Sequence, residues 1–515
     1  MSDRPDRRAT LLALVAAAWA SATAAAPRAR TMAFRDLERL DMPRGETTVS
    51  LSDRGRATLI ECPPDGLSAS GRGYWWTTSN SGRRVWRLSV QTIRPENVGV
   101  TAVRGDADVS AGLNAALEYS ARFRVPFEAP AGAVYLCGAV NAKGFLNNAG
   151  TGVYSADYAV EIPDGAVARW NGAVLKAVRG QTATVLSNRS TGLTRGDAFT
   201  CENVVVDGDG VTPEGELVTF IGGRHCRISG LEVRNVRRAA CGVYSMTDSD
   251  VGDLYVHDVV GQGFILGGNS DAYRLKTCRI GRGRGERIDS WEAFHQPGNP
   301  FLIGMQDSRI DSLTSRNCAG GIKYAPNCSN VHTVFAGFDG APALGERDLG
   351  TQNSGIKIQG DSDAAACRNI TFDTVRVGNG RGAGLYVRYA TGLRIDVLIT
   401  DGNGRSGLDS EIDAGVFDDL EIGIWSARNL RQGGLYVPAP RDGRPMRYRI
   451  GRVNLAGPIG SAANTTPVPI QLSGGQGQID ALVCQGRLRA SECAHITRDA
   501  ASKVTLRIGD QLLGR

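Results

Sequence analysis

A small set of charged and phenolic residues recurs in one setting along this sequence, each following a glycine and an aliphatic residue. Lys323 stands in Gly321-Ile322-Lys323-Tyr324, Lys357 in Gly355-Ile356-Lys357-Ile358 and Tyr386 in Gly384-Leu385-Tyr386-Val387. Asp409 follows in Gly407-Leu408-Asp409-Ser410 and Tyr436 in Gly434-Leu435-Tyr436-Val437. If these segments are strands with the aliphatic residue turned inward, the next residue points outward, and so does the one two places on. That second outward set holds Gln359, Arg388 and Glu411. Stacked in register, Lys323, Lys357, Tyr386, Arg388, Asp409 and Glu411 form one patch about three rungs of roughly 4.8 Å long.

Two chemistries suit such a patch. In β-elimination, a base removes the proton beside a uronate carboxyl while cations neutralise that carboxylate. A lysine lowered by its like-charged neighbour would be the base, Tyr386 the acid, and the remaining cations would hold the substrate. In hydrolysis, two carboxylates straddle the glycosidic bond. Asp409 and Glu411 lie two residues apart on one strand face, roughly 6.6 Å between Cα atoms, which allows an inverting or a retaining arrangement. Gln359 and Tyr436 extend the patch as substrate-binding groups. Two insertions, 281–300 and 338–354, are expected to wall it; the first carries Trp291, a stacking surface for a sugar ring, and His295.

The elements that must position these residues are short. Glycine-led segments recur at intervals of roughly 20 to 35 residues, the period of a solenoid built one coil at a time. Earlier members are Gly242-Val243-Tyr244 and Gly263-Phe264-Ile265. A second template appears at Ile228–Asn235, Val251–Asp258 and Ile370–Val377, so each coil supplies at least two strands. The 515 residues include 66 glycines and only 6% aromatics, which fits short strands between turns. Charge is balanced, 59 basic against 53 acidic residues. No basic block or aromatic–basic module points to nucleic acid. The 11 cysteines show no CxxC spacing, which removes the usual zinc and redox motifs. Cys226, Cys328 and Cys367 are expected at one inward position, and Cys484 with Cys493 is a possible pair. Asp207-Gly208-Asp209-Gly210 is a turn or a calcium loop; no other cofactor is implied.

Residues 1–26 read as an export signal: Arg4, Arg7 and Arg8, an apolar stretch Leu11–Ala20 too short to span a bilayer, and small residues at Ala22–Ala24. A flexible leader is expected over 27–46 and a small β module over 47–97, with Trp75, Trp76 and Trp86 as its core or as a sugar-stacking patch. Ala111–Phe123 has helical periodicity, with Ser110 as its cap. The order of that stretch is Gly105-Asp106-Ala107, one helix, Pro130-Ala131-Gly132, then Val134-Tyr135-Leu136. It resembles the N-terminal cap of the pectate lyase-like right-handed parallel β-helices. The preceding tryptophan-rich module resembles heads found before such helices in bacterial secreted proteins and phage tailspikes. The resemblance implies an all-β, right-handed parallel β-helix over 98–515 with a short N-terminal capping helix and three sheets. The Gly-His-Gly of polygalacturonases and the Asp-Pro-His-Glu of mannuronan epimerases are absent, so no catalytic residue is carried over from either.

The expected function is an exported enzyme that degrades an acidic polysaccharide, elimination ahead of hydrolysis. The alternative is a non-catalytic glycan-binding or surface-structural β-helix, an adhesin or a spike shaft. Its partner is the polysaccharide; nucleic acid and stable membrane insertion are not expected, and the chain acts as a monomer or a homotrimer.

Overall fold

A computed structural model describes residues 30–42, 46–65, 67–102, 107–138, 141–146, 153–188, 198–268, 270–290, 298–340, 353–403, 411–430, 433–438, 446–456, 470–472, 476–484, 494–496, 505–508 and 511–513. Residues 1–26 lie outside this range, as do Trp291, His295, Asp409 and Cys493. The chain divides into two compact units, residues 1–91 with 96–99, and residues 92–95 with 100–515.

The first unit is a five-stranded sheet. Its first strand, Arg30–Met32, pairs with Thr48–Leu51, and Phe34 and Leu37 are buried. Within the stretch 27–46, expected to be a flexible leader, Arg30–Met32 is thus a strand of this sheet. Trp75 and Trp86 are fully buried, and half-buried Trp76 donates its indole N–H to the Ser68 carbonyl at 2.7 Å. Burial of aromatic area holds so small a sheet together, which leaves two of these three rings unavailable for stacking on sugars.

The second unit is a parallel β-solenoid of roughly ten coils with one helix at its N-terminal end. Helix α1 (Ser110–Phe123) packs Leu113, Ala116, Leu117 and Tyr119 inward. Its start is not capped by Ser110, as the sequence suggests. Instead Asp108 Oδ1 accepts from the Ser110 amide at 2.9 Å and its hydroxyl at 2.6 Å, the usual job of a short acceptor at a helix start. A left-handed Arg124 (φ 54°) ends the helix.

Above the cap each coil crosses three walls. Strands at equivalent places pair in parallel with the coil above, as Arg227–Tyr244 does with Asp250–Leu266 from Arg227↔Asp250 to Val243↔Leu266. The first wall carries the register Arg279↔Arg309↔His332↔Thr371↔Arg394↔Glu421↔Arg449. Before it, most coils turn through a left-handed residue, where asparagine and aspartate are tolerated. Asp307, Asn330 and Asn369 sit there at φ 50°, 53° and 52°. They also bond to one another: Asn330 Nδ2 donates to Asp307 Oδ1 at 2.7 Å, and Asn369 Nδ2 to Asn330 Oδ1 at 2.9 Å. Asn317, Asn379 and Asn429 do the same job at the corner after the second wall (φ 54°, 55°, 48°).

The core is a set of aliphatic stacks. Ile322, Ile356, Leu385, Ile412, Leu435 and Ile470 lie one above the other on the third wall, each almost wholly buried. Cys328 and Cys367 sit on adjacent rungs as small buried hydrophobes. Cys226 does not share their column: it lies three residues further along the coil, below Ser249 and Cys278. The side chain of Cys484 is outside the described residues, as is its expected partner. No described helix is long and apolar enough to cross a membrane.

Candidate functional site

Third-wall rungs begin at a corner where the backbone passes close to the coil above. A Cβ on Gly321 would collide with the Gly355 carbonyl, and one on Gly384 would approach the Glu411 carbonyl to 2.8 Å. Glycine leads these rungs for that reason. One residue later comes the aliphatic stack, and the residue after that faces outward. The structure registers Leu302↔Lys323↔Lys357↔Tyr386↔Asp413↔Tyr436↔Gln471 in a single outward column. Lys323, Lys357, Tyr386 and Tyr436 thus stand on the same wall. Gln359 and Arg388 pair one rung apart in the neighbouring outward row, and the Arg388 guanidinium lies 5.3 Å from the Tyr389 ring centre.

The fourth rung differs from expectation. It is Ile412-Asp413-Ala414, so Asp413 occupies the place given to Asp409, which lies outside the described residues. Glu411 is not an outward group two residues further on. It stands where the other rungs have glycine, since Leu385 N–H donates to the Glu411 carbonyl as Ile356 N–H does to Gly384. Its side chain is fully buried; the Asn403 amide donates to Oε1 at 2.9 Å and Asn403 Nδ2 donates to Oε2 at 2.6 Å. Burial pushes this carboxyl up to about 7, against the pull of the Asn403 bonds.

Lys357 is 2% exposed, although its rung position faces outward. Its Nζ donates to Asn299 Oδ1 at 2.9 Å. Burial, with the charge of Lys323 next to it, holds its ammonium well below the ordinary lysine value. Lys323 is half-buried and lowered for the same first reason, with Asp361 opposing. A lysine closed off from water beside a second ammonium favours its neutral amine, which is a proton acceptor.

The 281–300 insertion is shorter than expected, because Arg279–Asp289 is a strand that puts Arg287 at the corner after the second wall and Asp289 just beyond it; likewise Ser329–Gly340 takes the start of the other. Four of the long connections, those that follow Asp289, Gly340, Asp401 and Ala456, join a second-wall strand to the next third-wall rung. The Lys323–Tyr436 column is thus entered repeatedly from one edge.

No known family and no curated protein matches the sequence. Solved structures of similar architecture do. A tailspike of E. coli bacteriophage HK620 in complex with a pentasaccharide is 11% identical, with a TM-score of 0.48 over 86% of this chain and 83% of that one. A family 28 exopolygalacturonase of Yersinia enterocolitica is 10% identical, TM-score 0.43, over 88% and 82%. Tailspike protein 3 of bacteriophage CBA120 is 11% identical, TM-score 0.42, over 87% of this chain; the chain spans 65% of that spike's length. The likeness is one of architecture and bears on no residue of the site.

A second ionic cluster, not anticipated from the sequence, lies lower on the second wall. His257 touches Asp258 Oδ2 through Nδ1 at 2.6 Å and Glu232 Oε1 through Nε2 at 3.2 Å, and stacks on Tyr255 with ring centres 4.5 Å apart. Its imidazole is raised, first by Glu232. Asp258 is drawn down to about 2, first by its bonds from Arg287. Asp207 accepts from Arg234 at 2.9 Å and from Asn235 at 3.0 Å. Among the described residues no group of three or more His, Cys, Asp or Glu side chains is arranged to hold a metal ion. These groups satisfy one another and leave little for a substrate.

Proposed function

We propose that the third wall is the reactive face of an enzyme that cleaves an acidic polysaccharide by β-elimination. The observation that supports it most is the stack of Lys323, Lys357 and Tyr386 on consecutive rungs, with the middle amine shifted toward its neutral form. Lys357 takes the proton from the carbon beside the uronate carboxyl. The electron pair left behind forms a carbon–carbon double bond, the adjacent C–O bond breaks, and the departing oxygen receives its proton from Tyr386. Lys323 and Arg388 offset the charge that grows on the carboxylate. In the free protein Asn299 holds the Lys357 amine, and the bound substrate takes its place.

Hydrolysis by Asp409 with Glu411 is not part of this proposal, because Glu411 is sealed at the corner. A wall that binds a glycan without cutting it is the second reading, favoured by the near-complete burial of Lys357. The deciding experiment incubates the purified chain with a panel of uronate-containing polysaccharides and follows unsaturated and reducing ends together. New unsaturated ends, lost in Lys357→Met and Tyr386→Phe, are expected. Reducing ends alone would indicate hydrolysis, and no new ends on any substrate would favour binding only. Full activity in Lys357→Met would remove this site assignment.

A further inference from the structure

The second wall carries a groove at the height of these same rungs, about 450 Å³ in volume and lined by three arginines. On the lower coils and on the first wall several arginines reach carboxylates: Arg234 to Asp207 at 2.9 Å, Arg287 to Asp258 at 2.6 Å, Arg279 to Asp311 at 2.6 Å, Arg449 to Asp480 at 2.9 Å. Arg316, Arg376 and Arg428 line the groove, are exposed, and have no ion-pair partner among the described residues. The carboxylates nearest in register do not serve them. Glu286, which registers with Arg316, is held by Arg284 at 2.6 Å and Arg287 at 2.7 Å; Asp339 Oδ1 accepts from Asn379 Nδ2 at 3.0 Å and Asp401 Oδ1 from Asn429 Nδ2 at 2.8 Å, in the corner ladder.

Register fixes the spacing of the three guanidinium groups. One outward row runs Arg316↔Asp339↔Gly378↔Asp401↔Arg428, and the next runs Thr314↔Gly337↔Arg376↔Ile399. Arg376 is on the same strand as Gly378, so it lies two rungs from Arg316 and two from Arg428. At about 4.8 Å per rung the cations recur roughly every 10 Å along the axis, over about 19 Å in all. The floor between them is open because two outward positions are glycine, Gly337 and Gly378. The half-buried Phe335 ring lies over Gly337, where an added Cβ would come within 2.9 Å of it. The groove therefore offers an apolar ring face between evenly spaced planar cations.

We propose that this groove binds a strand of acidic glycan running along the solenoid axis, with a carboxylate or sulfate on each of Arg316, Arg376 and Arg428 and a sugar face on Phe335. Guanidinium groups pair with such anions through two parallel N–H donors, and an aromatic ring suits the C–H face of a pyranose. The two-rung interval selects a polymer with one acidic group per disaccharide. From the proposed function the inference takes only that the ligand is an acidic glycan. The groove acts as a holding site beside the third wall and takes no part in bond breaking.

The test measures binding by calorimetry in a Lys357→Met background, so that cleavage plays no part. The probe is an oligosaccharide with a carboxylate on every second residue; the control is the same oligosaccharide with its carboxyls reduced to alcohols. Each of Arg316→Gln, Arg376→Gln and Arg428→Gln is expected to weaken probe binding about threefold, and the triple variant about thirtyfold. Added salt should weaken the parent far more than the triple variant. The reduced control should bind no better to the parent than to the triple variant. Unchanged affinity in the triple variant, or equal affinity of the parent for probe and reduced control, overturns the proposal. A chain that cuts no polysaccharide but shows these differences would fail the proposed function and keep this site.

Discussion

Lys357 lies directly above Lys323 on the next rung, yet only Lys357 is closed off from water and bonded to Asn299. The buried amine is the costly one. A lysine lowered on folding leaves the unfolded chain holding more protons, so stability rises with pH between the folded value and the free value near 10.4. Lys357→Met is therefore expected to gain stability relative to the parent at pH 7 and to lose that advantage as pH climbs toward about 10.4. Urea melts of both proteins across this range check it. A difference that stays flat would mean that the amine is not perturbed.

Glu411 has the opposite sign. Its carboxyl is raised to about 7 on folding, so the folded chain holds more protons than the unfolded one. Its contribution is intact below the unfolded value near 4.3 and is lost as pH rises to about 7. The difference in melting temperature between the parent and Glu411→Gln should shift in favour of the variant across that window and level off above it. Thermal melts at half-unit pH steps give the curve. A constant difference would contradict the burial-driven shift.

The contrast between these two residues also shows what the sequence can disclose. Lys357 falls on a rung that begins with glycine, the residue favoured where the corner backbone approaches the next coil. Glu411 was misplaced because it stands at that glycine position, while Gly407-Leu408-Asp409-Ser410 imitates the template a few residues early. The apolar-polar-apolar run Ile412-Asp413-Ala414 is the signal by which the true rung could have been found. The solenoid, its cap helix and the outward lysines were legible because each follows from a local pattern. The burial of Lys357 and the unpaired state of Arg316, Arg376 and Arg428 were not. They depend on which side chains meet across coils of unequal length, and on Asn379 and Asn429 taking up carboxylates that would otherwise have paired.

Corner glycines give a direct structural prediction. Gly321→Ala puts a methyl group against the Gly355 carbonyl, which belongs to the backbone and has no rotamer to escape into. A loss of about 1–3 kcal/mol is expected, read from denaturant midpoints at constant slope. The control is Gly415→Ala, where the nearest atom to an added Cβ is 3.4 Å away. If the two variants lose equal stability, close approach is not what demands glycine at these corners.

In the first unit, Trp86 has no exposed surface and Val85–Ser89 is the strand that holds it. Trp86→Ala is expected to cost about 3–5 kcal/mol and to leave glycan affinity per folded molecule unchanged. Denaturation and calorimetry on the same preparation separate the two. A fall in affinity without loss of stability would restore the sugar-stacking role.

A pile of parallel strands can only place outward groups at whole-number multiples of one interval. The molecule is therefore a ruler as much as a scaffold: it can match only those polymers whose own repeat is commensurate with its graduations, and inserting or removing one complete coil would change the length it measures without retuning a single contact.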